Sequence, residues 1–294
     1  MYYHSIRKSL FVLGIVAFFA PYSMAQDDDL LKELDSLSQD VTNFEPPAFK
    51  ALQIGNLQST KMVGNKELYM VVAHRFGSVK DGIKEFYGLD QANTKIQMLY
   101  GLTPKLQLGV SRDSYKKTYS GTAKLRLYQQ SEKMPVNLVL YGSVDINTLL
   151  SKNQYPGLLF FDRFAYTTQL LASRRFSEKL SLELAPIFVR QNLQDLNFTK
   201  AQTHNQLLLG IGGRYKFTKR LSVNVDYAYN FSKNTNSLYK NPLTVGIDIE
   251  TGGHVFQLLF TNSRASNDAA FLTEALGDWS KGDISFGFNI VRVF

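Results

Sequence analysis

The sequence of 294 residues contains no cysteine, one tryptophan and only four histidines. The absence of cysteine excludes a disulfide framework and thiolate metal sites. Beyond the first 25 residues, no run approaches the roughly 18 consecutive apolar residues that a membrane-spanning helix needs. Hydrophobic residues still make up 44% of the chain, and phenylalanine and tyrosine are abundant. This composition predicts a folded protein that is rich in strands.

The N-terminus is organised like a secretory signal peptide. Two basic residues at positions 7 and 8 precede an apolar stretch over 10–20, and the sequence Ser-Met-Ala at 23–25 provides a small-x-small cleavage site. A membrane anchor is the alternative, but the apolar stretch is too short for one. We therefore predict a signal peptide over 1–25, cleaved after Ala25. Cleavage removes two basic residues and lowers the net charge from +8 to +6. The remaining basic residues are scattered, which argues against a nucleic-acid partner.

Residues 26–50 form an acidic segment, expected on the periplasmic side. Leucines at 30, 31, 34 and 37 have helical spacing, and Pro46-Pro47 would end a short amphipathic helix. A mobile tail and a docking helix both fit this pattern. The acidic residues are Asp27, Asp28, Asp29, Glu33, Asp35, Asp40 and Glu45.

From residue 51 onwards apolar and polar residues alternate, as in strands with one apolar face. Leu106, Leu108 and Val110, for example, alternate with Gln107 and Ser111. The expected strands are 67–76, 93–101, 106–113, 119–129, 136–148, 163–175, 180–191, 206–217, 221–231, 243–250, 253–262 and 283–294. Several approach the 9–11 residues, roughly, of a tilted membrane strand.

The connections between these strands alternate between short and long. The short turns include 101–105 and 176–179, and the long loops include 77–92 and 263–282. Both chain ends lie on the side of the short turns. This rhythm is typical of outer-membrane barrels, which have short periplasmic turns and longer outer loops. We predict an all-β fold over 51–294, a single antiparallel up-and-down transmembrane β-barrel of about 12 strands.

The polar faces of the strands distinguish this barrel from a soluble β-sandwich, which also alternates. They mix small polar residues with charges of both signs, and such charges can pair across a polar lumen. The residues expected to line the lumen are Arg75, Lys95, Lys124, Arg126, Asp145, Glu183, Arg214, Lys216, Asp226 and Asp248.

The chain ends within an alternating segment, FGFNIVRVF. Because no water satisfies a strand edge inside a membrane, the last strand must pair with the first. An aromatic last residue resembles the signal that bacterial outer-membrane insertion machinery recognises, although Arg292 departs from that pattern. The expected insertion signal consists of Phe286, Phe288, Ile290 and Phe294. The insertion machinery and outer-membrane lipid are therefore expected partners.

Several phrases resemble one protein family. They include NLQSTKMVGNKEL (56–68), GIGGRYKFTKR (210–220), GIDIETGGHVFQLLFTNS (246–263) and GDWSKGDISFGFNIVRVF (277–294). Together they resemble the Bacteroidota barrel family known as domain of unknown function 5777. The resemblance implies an outer-membrane-like β-barrel. It implies no activity, because the family is uncharacterised, and no catalytic residue can be transferred from it.

Residues that could perform chemistry are few. His74, His204 and His254 lack metal-binding spacing. A hydrolase at the barrel rim would need His254 close to Ser263 or Asp268. GIGGRYK at 210–216 lacks the spacing of a phosphate loop, so we expect its glycines to allow a bend or close packing in a barrel strand. We expect no enzyme activity, no cofactor and no metal site.

The loop over 263–282 departs from the strand pattern. Its apolar residues predict a short helix that begins at Asn267 or Asp268 and ends at Gly277. This helix either folds into the barrel mouth as a plug or lies on the surface.

The predicted function is porin-like passage of a small solute through the outer membrane of a Gram-negative bacterium. The alternative is a non-conducting scaffold or binding barrel at the cell surface, with a lumen filled by paired charges.

Overall fold

The computed structural model describes residues 44–153, 155–193, 203–234, 237–251 and 254–294. The expected signal peptide, its cleavage site and most of the acidic segment lie outside these residues.

Twelve strands form in the described part of the chain, as the alternation predicts, and each end lies within two residues of its expected position. The strands are β1 (Leu68–Ser78), β2 (Ala92–Gly101), β3 (Leu106–Asp113), β4 (Thr118–Tyr128), β5 (Asn137–Asn147), β6 (Phe164–Arg175), β7 (Leu180–Gln191), β8 (Asn205–Lys216), β9 (Leu221–Asn230), β10 (Leu243–Thr251), β11 (His254–Thr261) and β12 (Ser285–Val293). Among the described residues, an α-helix, α1 (Asp268–Thr273), lies between β11 and β12. Short 3₁₀ segments occur at Val79–Gly88, Tyr115–Lys117, Phe160–Arg163 and Trp279–Lys281.

Every strand pairs antiparallel with its neighbours in the sequence, and β1 pairs with β12, so the barrel is closed. The closing ladder runs from Tyr69 opposite Val293 to Arg75 opposite Gly287. Closure satisfies the backbone groups that an open edge would leave unpaired in a membrane. The predicted up-and-down barrel, closed by its last strand, is confirmed. At Pro186 the ladder between β6 and β7 is interrupted, while pairing with β8 continues.

Side chains alternate between a polar interior and an apolar exterior. On β7, for example, Leu182 and Leu184 are exposed, whereas Ser181 and Glu183 between them are buried. The outer surface carries aromatic residues at both ends, as membrane barrels do at the two interfaces. They include Tyr119, Phe161, Tyr229 and Phe231 at the long-loop end, and Tyr100, Tyr128, Tyr215 and Phe217 at the short-turn end.

None of the helices in the described part of the chain is long and apolar enough to cross a membrane.

The first strand begins at Leu68, although the sequence suggests a barrel domain from residue 51. Many residues just before β1 are buried although they form no strand. Phe49, Ile54 and Leu57, for example, are each at most 2% exposed. They lie inside the barrel, where they contact inward-facing residues of many strands. The lumen and its contents are therefore the part of the molecule to search for function.

Candidate functional site

Two segments of the chain fill the barrel lumen. We call residues 44–67 the N-terminal plug and residues 262–284 the outer loop. The plug precedes β1 and enters from the short-turn end, and the outer loop connects β11 to β12 at the opposite end. Most residues of both segments are buried.

Lys124 of β4 is the main cationic contact of the plug. Its Nζ donates hydrogen bonds to the carbonyl oxygens of Leu52 at 3.1 Å, Ser59 at 2.9 Å and Lys61 at 3.3 Å. The side chain is 1% exposed, and its Nζ lies 5.8 Å from the centre of the Tyr141 ring. One ammonium group therefore uses all three of its donors on backbone carbonyls of the plug.

Acidic and amide side chains on other strands accept from backbone N–H groups of the plug. The Oδ2 atom of Asp226 accepts from the N–H groups of Asn56 at 2.8 Å and Leu57 at 3.3 Å. Glu183 Oε2 accepts from the N–H of Thr60 at 2.9 Å. These contacts replace the water that buried peptide groups would otherwise need.

Amide side chains of β11 and β12 bind the same segment from a third side. Gln257 Nε2 donates to the carbonyl oxygens of Gln53 and Ile54, at 3.1 and 3.0 Å. Asn289 Nδ2 donates to the carbonyl oxygen of Gly55 at 3.1 Å. The plug backbone is thus bound from several sides of the barrel by side chains with complementary hydrogen-bonding groups.

Asn56 contributes the principal side-chain contact of the plug. Its Oδ1 accepts hydrogen bonds from Arg75 Nε at 3.1 Å and from Arg75 Nη2 at 2.6 Å. Its Nδ2 donates to Thr244 at 2.9 Å and to Thr261 at 3.1 Å. Asn56 therefore links β1 to β10 and β11 across the lumen.

Glycines on β8 make space for the plug. A Cβ atom on Gly212 would lie 2.3 Å from Ile54 Cδ1, and one on Gly210 would lie 3.1 Å from Leu57 Cδ1. The glycines of GIGGRYK therefore permit close packing, as expected from their position in a strand, and the sequence gives no indication of what packs there.

An apolar cluster completes the filling of the lumen. Leu57 and Met62 of the plug belong to it, together with Phe271 and Leu272 of the outer loop. The wall contributes inward-facing apolar residues that the sequence analysis did not identify: Val139, Leu171, Ala185, Ile187, Val189, Leu208 and Ala228. Such a surface suits a packed interior better than a water-filled channel.

The outer loop carries the helix that the sequence predicts, and the helix is inside the barrel. Asn267 caps it by accepting from the N–H of Ala270 at 3.0 Å. All residues of α1 are buried, which excludes the surface alternative. The helix ends at Thr273, not at Gly277. Glu274 leaves the helical conformation, and its carboxylate is bound by Tyr115 and Gln191.

Wall charges hold the outer loop as they hold the plug. Asp113 Oδ2 accepts from the N–H groups of Ser266 at 3.1 Å and Asn267 at 2.9 Å. Lys95 Nζ donates to the carbonyl oxygen of Ser266 at 2.9 Å, and Asp145 Oδ2 accepts from the N–H of Ala269 at 3.3 Å. Beside this loop, burial and the Glu274 carboxylate raise the pKa of the Tyr115 hydroxyl.

All ten residues expected to line the lumen lie on the inner face of the barrel. Eight are buried, and Arg126 and Lys216 are half-buried near the short-turn end. Few of them pair with an opposite charge. Arg214 forms an ion pair with Glu250, and Asp248 accepts from Asn224 and from Gln257. Most of the others bind peptide groups of the two segments, a use of charge that the sequence did not reveal.

The C-terminal residues lie where the sequence suggests. Phe286, Phe288 and Ile290 point outward from β12, and Phe294 is 60% exposed. The guanidinium of Arg292 lies 4.9 Å from the centre of the Phe294 ring. The one side chain that departs from the apolar pattern therefore packs against the terminal aromatic ring.

The groups of a rim hydrolase are not brought together. His254 begins β11 at the short-turn end and faces outward, whereas Ser263 and Asp268 lie inside the barrel beyond the other end of that strand. His74 also faces outward, against Phe288, and its Nδ1 lies 3.0 Å from Thr94 Oγ1. Among the described residues, no group of three His, Asp or Glu side chains could hold a metal ion.

A small cavity with polar and apolar lining residues lies between the plug and the wall. Its volume is about 10 Å³, and Gln97, Gln107, Thr122 and Lys124 are among its lining residues. That is room for roughly one water molecule.

A protein-family model described as "Membrane bound beta barrel domain (DUF5777)" matches residues 49–294. The matched region includes most of the plug as well as the barrel. No match to the sequence is found among curated proteins.

Solved structures with a similar barrel include the NanC porin, with 6% sequence identity and a TM-score of 0.48 over 77% of this chain and 98% of that one. An outer-membrane channel of the COG4313 group from Pseudomonas putida F1 has 13% identity and a TM-score of 0.48, over 80% and 98%. Outer membrane phospholipase A from Escherichia coli has 13% identity and a TM-score of 0.40, over 77% and 92%. Such identities and TM-scores assign no function to this chain.

Proposed function

The chain belongs to the family of membrane-bound β-barrel domains DUF5777, and on that premise we propose that it is an outer-membrane barrel held closed at rest by its own plug and outer loop. In that state it is a non-conducting barrel that serves as a scaffold or binding partner. The observation that carries the proposal is the contact of Lys124 with three backbone carbonyls of the plug.

Three features support closure over an open pore. Wall charges bind peptide groups of the plug instead of facing water. Apolar residues of the wall pack on both segments. The cavity described above, between the plug and the wall, has room for about one water molecule. We assign no catalytic residue, since the histidine and the nucleophile candidates are separated.

The outer membrane is the proposed location. The exterior is apolar and carries aromatic residues at both ends, as in barrels of that membrane. The N-terminal signal peptide, cleaved after Ala25, would direct export, and the C-terminal residues Phe286, Phe288, Ile290 and Phe294 would direct insertion.

Gated passage of a small solute is the second candidate. The plug is joined to β1 by the backbone and to the wall mostly by hydrogen bonds, so it could leave without breaking a covalent bond. The vacated lumen would present charges of both signs, including Arg75, Lys124, Glu183 and Asp226. Such a surface would become hydrated, as the lumen of a channel is.

The test is planar-bilayer conductance of the refolded mature chain, residues 26–294. We expect silence from protein whose insertion is verified by heat-modifiable gel migration. Discrete current steps that scale with salt would overturn the closed resting state. The same recording on a Lys124→Met/Asp226→Asn variant separates the two candidates. Current from the variant alone would favour gated passage, and silence from both would favour the non-conducting barrel.

A further inference from the structure

The outer loop carries a carboxylate, Glu274, that three donors bind at the long-loop mouth of the barrel. Its Oε1 atom accepts a hydrogen bond from Gln191 Nε2 at 3.0 Å, and its Oε2 atom accepts one from the Tyr115 hydroxyl at 3.1 Å. Lys116 Nζ lies 2.5 Å from the same Oε2 atom, and the Glu274 side chain is 8% exposed. We call Tyr115, Lys116 and Gln191 the mouth site.

The mouth site is assembled from two separate parts of the wall. Tyr115 and Lys116 belong to the connection between β3 and β4, whereas Gln191 ends β7. All three contacts end on the carboxylate group of Glu274 rather than on the backbone of the outer loop. Elsewhere in the lumen, wall charges bind peptide groups of this loop. Any carboxylate of suitable size could therefore make the contacts that Glu274 makes.

Two further amide side chains orient the Gln191 donor. Gln206 Nε2 donates to Gln191 Oε1 at 3.3 Å, and Asn230 Nδ2 donates to Gln206 Oε1 at 2.6 Å. The three amides lie on β7, β8 and β9, are all buried, and each donates in the direction of Glu274. Because aligned hydrogen bonds polarise one another, this chain strengthens the last N–H towards a negatively charged acceptor. The wall behind the mouth site is therefore arranged for an anion.

The backbone of the mouth site is strained at Lys116. This residue has φ 53° and ψ 18°, and Lys117 after it has φ 48°. Both lie in the left-handed region, which side chains other than glycine adopt at an energetic cost. Strained residues of this kind cluster at binding sites and switch regions. The strain therefore supports a role in binding for this connection.

The charges around the mouth site favour a group with a single negative charge. Lys116 supplies the ammonium group that contacts Glu274. Asp113 lies on the other side of Tyr115, and its Oδ1 atom accepts from the Tyr115 N–H at 2.9 Å. A doubly charged phosphate would face one ammonium group with a second carboxylate nearby, which is unfavourable. A planar carboxylate can place one oxygen against the amide and the other against the hydroxyl and ammonium groups, as Glu274 does.

We propose that the mouth site binds a small carboxylate solute from outside in exchange for Glu274, and that this exchange releases the outer loop. The inference rests on the proposed closed resting state, in which the outer loop closes one end of the lumen. Exchange removes the side-chain bridge that Glu274 forms between β7 and the connection of β3 to β4. The outer loop keeps its backbone contacts with the wall, so it opens more often without unfolding the barrel.

The first measurement follows opening of the outer loop by maleimide labelling of Ser266→Cys, in a chain without native cysteine. Ser266 is buried, and its hydroxyl makes no hydrogen bond within the described chain. Sodium acetate is the probe, with acetamide and with sodium chloride of equal ionic strength as controls. We expect acetate alone to raise the labelling rate saturably by about tenfold, as for loss of a hydrogen bond to a charged group. Lys116→Gln should abolish this response, and equal rates in acetate and chloride would overturn the proposal.

A vacated mouth site tests binding separately from opening. Glu274→Ala removes the carboxylate of the chain itself, so acetate should raise the melting temperature of this variant saturably. Acetamide should have no such effect, and neither should acetate on the matched variant Glu178→Ala, which is altered at an exposed glutamate. Stabilisation of Glu274→Ala without faster labelling of Ser266→Cys would overturn the exchange. Absence of stabilisation would overturn the carboxylate site itself.

Bilayer conductance distinguishes failure of this inference from failure of the proposed function. Current steps in chloride alone would overturn the closed resting state, whereas the acetate response of Ser266→Cys would still decide the mouth site. Acetate-dependent labelling of a barrel that stays silent in acetate would support the mouth site and reject passage of the solute.

Discussion

Gln58 Nε2 donates a hydrogen bond to Asp268 Oδ1 at 3.0 Å, across 210 positions of the sequence. Gln58 belongs to the N-terminal plug, and Asp268 begins the helix of the outer loop. The other carboxylate oxygen of Asp268 accepts from the Tyr141 hydroxyl at 2.7 Å. The segments that close the two ends of the lumen therefore touch, and movement of one changes the environment of the other.

Energetic coupling between the two segments follows from this contact. In a double-mutant cycle of Gln58→Ala and Asp268→Ala, we expect a coupling free energy of about 1 kcal/mol, the usual contribution of one buried hydrogen bond. The measurement is urea-induced unfolding of the refolded barrel, with Gln58→Ala/Asp283→Ala as the control cycle. Additive effects of the Gln58 and Asp268 substitutions would show that the two segments close the lumen independently.

Removal of the Lys124 ammonium should destabilise the barrel strongly. Lys124→Met keeps the aliphatic side chain but removes the donor from the carbonyl oxygens of Ser59 and Lys61. The carbonyl oxygen of Leu52 keeps the Ser59 N–H as a donor. We expect the free energy of unfolding to fall by about 3 kcal/mol. The same substitution at the exposed Lys84 is the control and should change it by less than about 0.5 kcal/mol. Equal effects at the two positions would mean that the Lys124 contacts contribute little.

A side chain on the lumen face of β8 should displace the plug. Valine at Gly212 places its Cβ against Ile54, whereas a Cβ at Gly121 meets no atom within 4 Å. Because the chain has no native cysteine, Ser59→Cys supplies a single thiol within the plug. We expect maleimide to label it much faster in the Gly212→Val background than in the Gly121→Val background. Adding Ile54→Ala to Gly212→Val should restore slow labelling; equal rates in all three would refute plug displacement.

The stability contribution of Lys61 should depend on pH. Its lowered pKa means that the folded state binds fewer protons than the unfolded state between the folded pKa and 10.5. Stability therefore rises with pH through that window, and the charged side chain costs stability below it. Lys61→Met should raise the melting temperature near neutral pH, with a smaller gain above pH 10.5. A gain independent of pH would show that the charge of Lys61 is not responsible.

The sequence by itself determined the strands and the order in which they pair. Alternation such as Leu106-Gln107-Leu108 is local, and short turns join neighbours along the chain, so both can be identified without knowledge of distant contacts. The closure of β12 on β1 followed from the requirement that a membrane leaves no strand edge unpaired. The inward charges could be identified by the same alternation, since residues two apart share a face.

Only the tertiary structure decided what those charges bind. Residues 44–67 have neither helical nor strand periodicity, because their order inside the lumen depends on Lys124, Glu183 and Asp226, which are distant in sequence. The inward Val189 and Leu208 break the polar pattern for the same reason, since they pack on residues that alternation along one strand cannot reveal. The alternation of polar and apolar residues along one strand indicates which face of the strand a side chain occupies. Whether that face meets water or another part of the chain is fixed by long-range packing.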